Sequence, residues 1–341
     1  MQYSYTLEVE DRQMPPKPLE YIYPGVVAAQ AIHAAVRFRI PDLLASGPKT
    51  VSELASACNV LEPTLERLLR ALTTIDMFVK TPDGRYGNSP LTEVLRTDHP
   101  LSLRSEGMLL PASFMWLPLG ELSESVRTGE PAFERLFGQS FFAYLEQHPE
   151  DAANFNRVMA QEIMWTTPAL LRAYDFSRFK RLVDVGGGQG VFLRHVLAAN
   201  PNLRGVLFDQ PKVVAEAEQL LKGEVAARTE ILGGSFFENV PKGGDAYLLR
   251  KVIHDWEDED ALRILRNVRS AMGADATLLL VEGLIDSAQS PAGLMDLMML
   301  VFFRGRERTE ADFRSLLDSA GFTLSRVIPA GTYSLIESRP A

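Results

Sequence analysis

Cysteine is nearly absent from this sequence of 341 residues, in which Cys58 stands alone. A single cysteine excludes an intramolecular disulfide and a metal centre built from several thiolates. The same scarcity is typical of proteins from a reducing compartment. Because a free cysteine is usually buried and inert, we expect Cys58 to pack in a core and not to act as a nucleophile.

An excess of basic residues is also missing, since 35 lysines and arginines stand against 44 aspartates and glutamates. The formal net charge is −9. Proteins that bind nucleic acid or anionic membranes concentrate positive charge to meet phosphate groups. We therefore expect neither nucleic acid nor a membrane among the partners.

Long hydrophobic runs are absent as well. The most apolar window, LMDLMMLVFF, contains Asp296 and is too short to span a bilayer. The N-terminal sequence MQYSYTLEVEDRQMPP is polar and acidic and lacks the apolar segment of a secretory signal. We expect a cytoplasmic protein whose first 15 residues form an arm or an exchange segment.

The sequence does contain, within residues 1–100, the pattern of a helix-turn-helix. Thr50 or Ser52 can cap a first helix, and Pro63 suits the first turn of a second helix. The second helix has a leucine at each turn on one face: Leu65, Leu68, Leu69 and Leu72. This spacing predicts that the face is buried.

A longer helix precedes this pair and a hairpin follows it. The sequence is helical from Gly25 to Leu44, with a break expected at Pro41. Two short strands in MFVKTPDGRYGNS meet at Asp83-Gly84, which is a strong hairpin signal. Residues 1–100 are therefore predicted to form a mainly α-helical winged-helix domain.

Winged helices often bind DNA, but the charge of this one favours another use. Between Lys49 and Asp98 there are six basic and seven acidic residues. The would-be recognition helix carries Glu62 and Glu66 beside its arginines. We expect the domain to act in dimerisation, and a DNA-binding regulator remains the less favoured alternative.

Residues 101–175 and 176–341 differ in their hydrophobic patterns. The first segment is predicted to contain several helices, forming a connector that contributes to a ligand pocket. Its loops are expected at the prolines: Pro111, Pro118, Pro131 and Pro149. In the second segment, strand-length apolar runs (RLVDV, GVLFD, TEILG, DAYLLRKVI, TLLLVE) alternate with helical stretches. That alternation predicts an α/β domain with a doubly wound, mostly parallel sheet.

A glycine-rich turn, VDVGGGQG, follows the first of these runs. It lacks the Gly-Lys-Ser/Thr ending of a phosphate-binding P-loop, and Val191 replaces the last glycine of the dinucleotide fingerprint. Asp209 closes the next strand, where a carboxylate can accept hydrogen bonds from ribose hydroxyls. A ligand with a ribose but no pyrophosphate fits this pattern, and S-adenosylmethionine (SAM) is such a ligand. Tight helix–sheet packing is the alternative reason for the glycines.

A histidine stands at a position suited to catalysis. His254 follows the apolar run AYLLRKVI, so it is expected at the carboxyl end of a parallel strand, where ligands bind in such sheets. A histidine held by a carboxylate can remove the proton of a phenol. A structural alternative is that His254 caps the helix after the acidic run Asp255 to Asp260.

Several motifs occur in order: LVDVGGGQG, VLFDQP, GGSFFENVP, LLRKVIHDWEDEDALRIL, LLLVE and GRERTEADFRSLLDSAGF. With PAFERLFGQSFFAYL and FNRVM, they resemble the SAM-dependent O-methyltransferases that include plant caffeate and hydroxyindole enzymes and bacterial polyketide-tailoring enzymes. The resemblance covers nearly the whole chain. It implies a Rossmann-like class I methyltransferase domain with a seven-stranded sheet. It also implies a homodimer built by the N-terminal domain and metal-independent methyl transfer to a hydroxyl of a small molecule.

The resemblance also implies roles for individual residues. His254 matches the general base, and Glu282 and Glu307 match the two acids that orient it. The residues expected at the cofactor are Asp184, Gly186, Gly188, Asp209, Gln210, Ser235, Phe236, Arg250 and Trp256. The residues expected at the acceptor are Asn156, Met159, Asp296, Met299, Phe303 and Arg304. The methionines and phenylalanines suggest a flat, apolar acceptor such as a phenol or a polyketide.

Two departures from the family pattern bear on the reaction. Ser235 stands where relatives commonly have aspartate, and Phe303-Arg304 replaces a pair of small residues. Arg304 either faces an anionic acceptor or points to solvent. Some relatives bind SAM but catalyse hydroxylation, decarboxylation or pericyclic reactions, and this remains an alternative. The presence of His254 with both glutamates favours methyl transfer.

Overall fold

A computed structural model describes residues 17–215, 217, 221–287, 290 and 292–341, with side chains from residue 24 onward. The arm expected over the first 15 residues lies outside this range. The described chain divides into two compact units, with the boundary between Met115 and Trp116. No helix among the described residues is long and apolar enough to cross a bilayer.

The first unit is mainly helical and contains one hairpin. Its elements are α1 (Lys17–Arg37), α2 (Ile40–Leu43), α3 (Val51–Cys58), α4 (Glu62–Thr73), β1 (Phe78–Lys80), β2 (Tyr86–Asn88), α5 (Pro90–Glu93) and α6 (Arg104–Leu109). The break predicted at Pro41 is wrong in position. The chain turns at Arg39, which has a left-handed φ of 58°, and Pro41 lies in the first turn of α2, where its missing N–H costs nothing.

Helices α3 and α4 and the hairpin form as the sequence predicts. Thr50 caps α3 through a reciprocal capping box with Glu53. Strands β1 and β2 pair antiparallel in the register Val79 to Gly87. Leu65, Leu69 and Leu72 are buried in the core of this unit, and Leu68 is partly buried against it. Cys58 also packs against this core.

Five further helices follow α6 before the first strand of the large sheet: α7 (Ser113–Gly120), α8 (Leu122–Thr128), α9 (Ala132–Phe137), α10 (Phe141–Gln147) and α11 (Pro149–Ala173). The loop predicted at Pro118 is wrong, because this proline lies inside α7. Pro131 and Pro149 do stand at helix starts, directly before α9 and in the first turn of α11.

The remaining elements alternate as predicted. They are β3 (Arg181–Val185), α12 (Val191–Ala199), β4 (Arg204–Asp209), α13 (Pro211–Val214), α14 (Gly223–Ala226), β5 (Thr229–Gly233), β6 (Ala246–Arg250), α15 (Asp258–Ala271), β7 (Thr277–Glu282), α16 (Ala292–Phe302), α17 (Glu310–Ser319), β8 (Phe322–Ala330) and β9 (Tyr333–Pro340). Strand β6 is shorter than the run DAYLLRKVI suggested. It ends before Lys251, whose φ of 52° turns the chain out of the sheet.

Within the described ranges, strands β3 to β9 form one seven-stranded sheet in the order β5-β4-β3-β6-β7-β9-β8. Neighbouring strands from β5 to β7 are parallel, whereas β9 pairs antiparallel with β7 and β8. This confirms the predicted doubly wound, mostly parallel seven-stranded sheet. Because the parallel strands run the same way, their carboxyl ends lie along one edge.

Both faces of the sheet are buried. On β3, Val183 and Val185 belong to the core that includes residues of α15 and α17, whereas Leu182 belongs to the core that includes residues of α11 and α12. The side chains alternate because successive residues of a strand point to opposite faces. With both faces covered by helices, a ligand can reach the sheet only along its edges, and in such sheets ligands bind at the carboxyl edge.

Candidate active site

His254 lies directly beyond this edge, in a 3₁₀ turn formed by Ile253–Asp255 after strand β6. Its side chain is buried, and its Nδ1 atom lies 2.8 Å from Oε1 of Glu307. An ionised carboxylate only accepts hydrogen bonds, so Nδ1 donates and Nε2 keeps its lone pair in the neutral ring. Nε2 is therefore the nitrogen that can take up a proton.

Several carboxylates act on the imidazole. Burial lowers the pKa of His254, but Asp255, Glu307 and Glu282 outweigh burial and raise the pKa above its ordinary value. Oδ1 of Asp255 lies 3.4 Å from Nε2 of His254. Sequence analysis treated Asp255 only as part of the acidic run before α15. Its place beside the reactive nitrogen follows from the tight 3₁₀ turn, which the sequence did not predict.

Glu282, the last residue of β7, is fully buried but holds the backbone of the turn rather than the ring. Its Oε1 atom accepts hydrogen bonds from the backbone N–H groups of Val252, at 3.2 Å, and Ile253, at 2.9 Å. Burial is the main reason that the pKa of Glu282 is raised to about 7. Its carboxylate contributes to the field at His254 without a direct hydrogen bond to it.

Glu307 reaches His254 from the segment after helix α16. Its backbone N–H donates to Oδ1 of Asp296 at 2.8 Å, and its carboxylate is buried. Among the described residues, neither Arg306 nor Arg308 forms an ion pair with Glu307. Both arginines bind Asp258 instead.

Two further residues, which sequence analysis missed, contact the turn. Arg308 is fully buried and donates to the carbonyl oxygens of Ile253 and Trp256, each at 2.9 Å. A Cβ on Gly305 would lie 1.9 Å from the carbonyl oxygen of His254, so a side chain cannot be accommodated there. Both residues belong to the motif GRERT, but only the tertiary structure shows which side chains of this motif face inward.

The glycines of the turn after β3 serve different purposes. At Gly187 a Cβ would lie 2.6 Å from Oδ2 of Asp184 and 2.6 Å from a methyl of Leu207, so close packing excludes a side chain. Gly188 has a left-handed φ of 59° and open space beside it. Its N–H donates to Oδ2 of Asp209 at 2.8 Å. The packing alternative therefore explains Gly187, and the open space at Gly188 fits a ligand.

Two carboxylates flank this turn. Asp184 is buried, and burial, followed by the charge of Asp209, raises its pKa to about 7. Its Oδ2 atom has no hydrogen-bond partner among the described residues. Asp209 ends β4 and accepts from Gln210 N–H through Oδ1, while the Gln210 side chain is exposed. Burial also raises the pKa of Asp209.

Aromatic rings stand beside the glycine turn. A Cβ on Gly186 would lie 3.5 Å from the ring of Phe236. The centroids of Phe236 and Trp256 are 6.0 Å apart, and Phe237, which the sequence did not single out, packs edge-on against Trp256 at 4.7 Å. Ser235 accepts from the N–H of Phe237 through its hydroxyl at 3.3 Å. Ser235, Phe236 and Trp256, which were all predicted at the cofactor, thus lie close together.

Arg250, the last residue of β6, is held by helix α11. Its Nη2 atom donates to Glu162 at 2.5 Å and to Thr166 at 2.9 Å, and its side chain is largely buried. Its Nε atom has no partner among the described residues. Glu162 and Thr166 were not foreseen, because α11 lies far from β6 in the sequence.

The residues predicted for the acceptor lie on two helices and the segment that follows. Asn156 and Met159 belong to α11, whereas Asp296 and Met299 belong to α16. The ring of Phe303 lies against Phe141 and Phe142, at 5.1 and 5.5 Å between centroids.

Arg304, which was also predicted at the acceptor, points toward the surface. It is half-exposed, and its Nη2 atom contacts Glu134 at 2.6 Å. This ion pair favours the solvent-directed alternative for Arg304 over a role in holding an anionic acceptor.

The residues at the carboxyl edge fit an adenosyl ligand. The open space at Gly188, the unpartnered Oδ2 of Asp184 and the ring of Phe236 beside Gly186 offer polar and aromatic contacts around one bare turn. No group of three or more histidine, cysteine, aspartate or glutamate side chains suited to a metal ion occurs within the described ranges.

Comparison with known proteins identifies the family of this chain. Residues 119–323 match the family model of an O-methyltransferase domain, and residues 21–98 match that of an O-methyltransferase dimerisation domain. The chain is 38% identical to the phenazine O-methyltransferase PhzM of Lysobacter antibioticus, over 93% of this chain and 94% of the relative. It is also 38% identical to the 8-amino-8-demethylriboflavin N,N-dimethyltransferase of Streptomyces davaonensis, over 91% of each chain.

A solved structure adds a bound cofactor. NcsB1, an O-methyltransferase from neocarzinostatin biosynthesis, was solved with SAM and 2-hydroxy-5-methyl naphthoic acid. The two chains share 32% identity and a TM-score of 0.82, with 92% of this chain and 96% of that chain covered. The fold is therefore that of class I methyltransferases. The chain belongs to the family of SAM-dependent O-methyltransferases.

Proposed function

We propose that this enzyme transfers the methyl group of SAM to a hydroxyl of a small aromatic natural product, with His254 as the general base. The observation that supports this most directly is the hydrogen bond between Nδ1 of His254 and Glu307, which leaves Nε2 as the proton acceptor. The relatives named above act on phenazine and riboflavin-derived compounds or bind a naphthoic acid. Planar aromatic molecules are therefore the proposed acceptors.

The proposed cofactor contacts surround the glycine turn. Bound SAM supplies a methyl group on a positively charged sulfur, which an oxygen nucleophile can attack directly. Asp209 would accept hydrogen bonds from the ribose, while Phe236 and Trp256 would enclose the adenine. Further contacts are proposed for Asp184, Gly186, Gly188, Gln210, Ser235 and Arg250.

His254 has the chemistry that such an acceptor needs. A phenol with a pKa near 10 is almost entirely protonated at neutral pH, so its proton must be removed as the oxygen attacks. The proton moves to Nε2 of His254, and the imidazolium that forms is stabilised by Glu307 on the opposite nitrogen. Glu282 fixes the turn that carries the ring.

The acceptor is proposed to lie among residues of helices α11 and α16. Met159 and Met299 offer adaptable apolar contacts, and Phe303 offers an aromatic edge. Asn156 and Asp296 are the polar groups of this set. Asp296 already binds the backbone of Glu307, so we propose that it acts on the acceptor site mainly through that contact.

A second candidate function is N-methylation, which the similarity to the N,N-dimethyltransferase favours. An aromatic amine carries a lone pair on its neutral nitrogen and does not need to lose a proton before it attacks. N-methylation should therefore depend much less on His254 than O-methylation does. Loss of His254 distinguishes the two reactions.

The organisation of the whole protein is also proposed. Residues 1–100 form a winged helix that dimerises, residues 101–175 a connector that contributes to the acceptor pocket, and residues 176–341 the SAM-binding catalytic domain. We propose a cytoplasmic homodimer that binds no nucleic acid. Sedimentation equilibrium should give twice the chain mass, and a monomer at micromolar concentration would contradict the dimer.

The activity is tested with purified enzyme, SAM and a panel of planar acceptors: 1,4-dihydroxy-2-naphthoic acid, a hydroxyphenazine and an aminophenazine. We expect S-adenosylhomocysteine (SAH) to form with at least one phenol. His254→Ala should lower this turnover by about 10²–10⁴-fold and leave SAH binding unchanged. His99→Gln, outside the site, is the control. Full turnover by His254→Ala on a phenol would refute the general base, and turnover on the amine alone would favour N-methylation.

A further inference from the structure

Arg308 is among the largest fully buried side chains of the described residues, and its guanidinium lies against the turn that carries His254. Its Nη1 atom donates to the carbonyl oxygen of Ile253, and Nη2 donates to that of Trp256, both at 2.9 Å. These two carbonyls flank His254 in the sequence. The guanidinium therefore spans the turn from one side of the base to the other.

The charge of Arg308 is balanced by Asp258, at the start of helix α15. Oδ1 of Asp258 accepts from Nε at 3.1 Å and from Nη2 at 2.8 Å. A buried cation is costly unless it is paired and its donors are satisfied. Asp258 thus permits the guanidinium to stay buried, while the remaining donors hold the turn.

Only arginine has the donor geometry that these contacts require. Its guanidinium is a rigid, planar fork with five N–H donors. A lysine at position 308 would carry the same charge on a single ammonium group. That group could not reach the carbonyls of Ile253 and Trp256 and the carboxylate of Asp258 at the same time.

The other side of the turn is closed by Gly305. Its backbone packs so near the carbonyl of His254 that a Cβ would lie 1.9 Å away. Between these two contacts, Glu307 binds the imidazole itself. One short segment, residues 305–308, therefore contacts the turn in three ways. The backbone of Gly305 packs on it, the Glu307 carboxylate binds the imidazole, and the Arg308 guanidinium binds the two flanking carbonyls.

We infer that Arg308 is a positioning residue for methyl transfer. By binding the carbonyls of Ile253 and Trp256, it fixes the position of the His254 imidazole relative to the Trp256 indole. Its side chain is fully buried against backbone carbonyls and Asp258, so it acts through the turn. The inference rests on the proposed function for its consequence in catalysis, but its structural content is measurable without any acceptor.

Arg308→Lys is the decisive variant because it keeps the charge and removes the fork. Arg306→Lys is the matched control, since Arg306 also binds Asp258, at 2.9 Å, but from an exposed position and without contact to the turn. Both variants are first checked by thermal melting. Retained folding separates a positioning role from a general loss of the native state.

The first readout is the titration of His254 by NMR in the protein without ligands, with the resonance assigned through His254→Gln. The charged groups that act on this ring are Asp255, Glu307, Glu282 and Lys251. When the turn relaxes, the three carboxylates are held less closely to the ring, so Arg308→Lys should lower the pKa of His254. Arg306→Lys should not change it.

The second readout is calorimetric binding of SAH, because Trp256 is held by the same guanidinium. Arg308→Lys should weaken SAH binding about three- to tenfold, whereas His254→Gln should not. With a phenol from the panel that supports turnover, kcat should fall at least about tenfold while KM for the phenol changes less than threefold. The control should match the parent enzyme within twofold.

The outcomes separate the two proposals. If Arg308→Lys is folded and its His254 titration, SAH affinity and kcat all match those of the parent, the positioning role is refuted, whether or not the enzyme methylates phenols. If the titration and SAH affinity change but no phenol is methylated, the positioning role stands and the proposed function fails. Should Arg308→Lys not fold, Asp258→Asn replaces it and must change the titration in the same direction, since an unchanged titration would refute the inference.

Discussion

Nδ1 of His254 lies 2.8 Å from Oε1 of Glu307, although 53 residues separate the two in the sequence. Both side chains are buried, so water competes little for this hydrogen bond. It places a negative charge against Nδ1 and leaves the lone pair on Nε2, the nitrogen beside Asp255, to take up a proton. The first prediction follows from this pair.

Glu307→Gln should lower kcat for a phenol and shift its pH dependence. His254 must be neutral to act as a base, so kcat rises with pH through the pKa of this ring. In the parent enzyme that pKa is raised above the ordinary value of 6.5, and Glu307 is among the causes. The variant should therefore show its midpoint at lower pH, with a plateau at least about tenfold lower because the imidazolium is less stabilised.

The measurement is kcat between pH 5.5 and 9, followed by SAH release at saturating SAM. Thermal melting of the variant controls for loss of the fold. A midpoint that stays in place or moves to higher pH would contradict the assigned role of Glu307.

A second prediction concerns Asp296, whose Oδ1 accepts from the N–H of Glu307 at 2.8 Å. Asparagine retains a carbonyl oxygen that can accept this hydrogen bond, but alanine does not. Asp296→Ala should therefore lower kcat by about three- to tenfold, and Asp296→Asn should remain within twofold of the parent. Equal losses in both variants would indicate instead that the charge of Asp296 acts on the acceptor.

A third prediction concerns the stability of the ligand-free protein and Asp184. Burial and the charge of Asp209 raise the pKa of Asp184 from 3.8 to about 7. A carboxyl group whose pKa is raised on folding stabilises the protein below its unfolded pKa, and this contribution is lost as pH rises through the folded pKa. Between about pH 4 and pH 7 the loss amounts to on the order of a few kcal/mol.

Asparagine at position 184 cannot ionise and so escapes this loss. Relative to the parent, Asp184→Asn should become more stable as pH rises from 4 to 7, as measured by urea unfolding of the ligand-free proteins. Asp245→Asn controls for changes common to all acidic groups. A difference between variant and parent that does not depend on pH would show that Asp184 ionises normally in the folded protein.

A fourth prediction addresses the departure at Arg304. Its contact with Glu134 is half-exposed, and such pairs contribute less than about 1 kcal/mol. Arg304→Ala should therefore leave kcat and KM for a neutral phenol and for an aromatic carboxylate within twofold of the parent. A selective rise in KM for the carboxylate would place Arg304 at the acceptor after all.

Much of the fold was accessible from the sequence because its signals are local. The alternation of apolar runs and helical stretches predicts the parallel sheet, and Asp83-Gly84 predicts the hairpin between β1 and β2. The predicted ends of elements were wrong where the residue type does not indicate the backbone conformation. The break before α2 falls at Arg39 and the end of β6 before Lys251, and both residues adopt a left-handed conformation that neither residue type signals.

The proposed catalytic residues were predicted from the sequence partly through residue chemistry and partly through resemblance. A histidine at the end of a strand could be placed at the carboxyl edge from its position alone. The partners Glu282 and Glu307 could not, because nothing in a linear sequence states which of many acidic residues will face one imidazole. The structure shows that one binds the ring and the other binds the backbone beneath it.

The sequence by itself determined the elements, the bare glycine turn and the place of the proposed base, His254, at the end of a strand, since each depends on residue type and spacing within a short window. Only the tertiary structure decided that Gly187 is required by packing, that Arg304 faces Glu134, and that Arg308 holds the turn of His254. Those contacts join segments far apart in the chain. Their geometry is set by how helices cover a sheet, which no local pattern specifies.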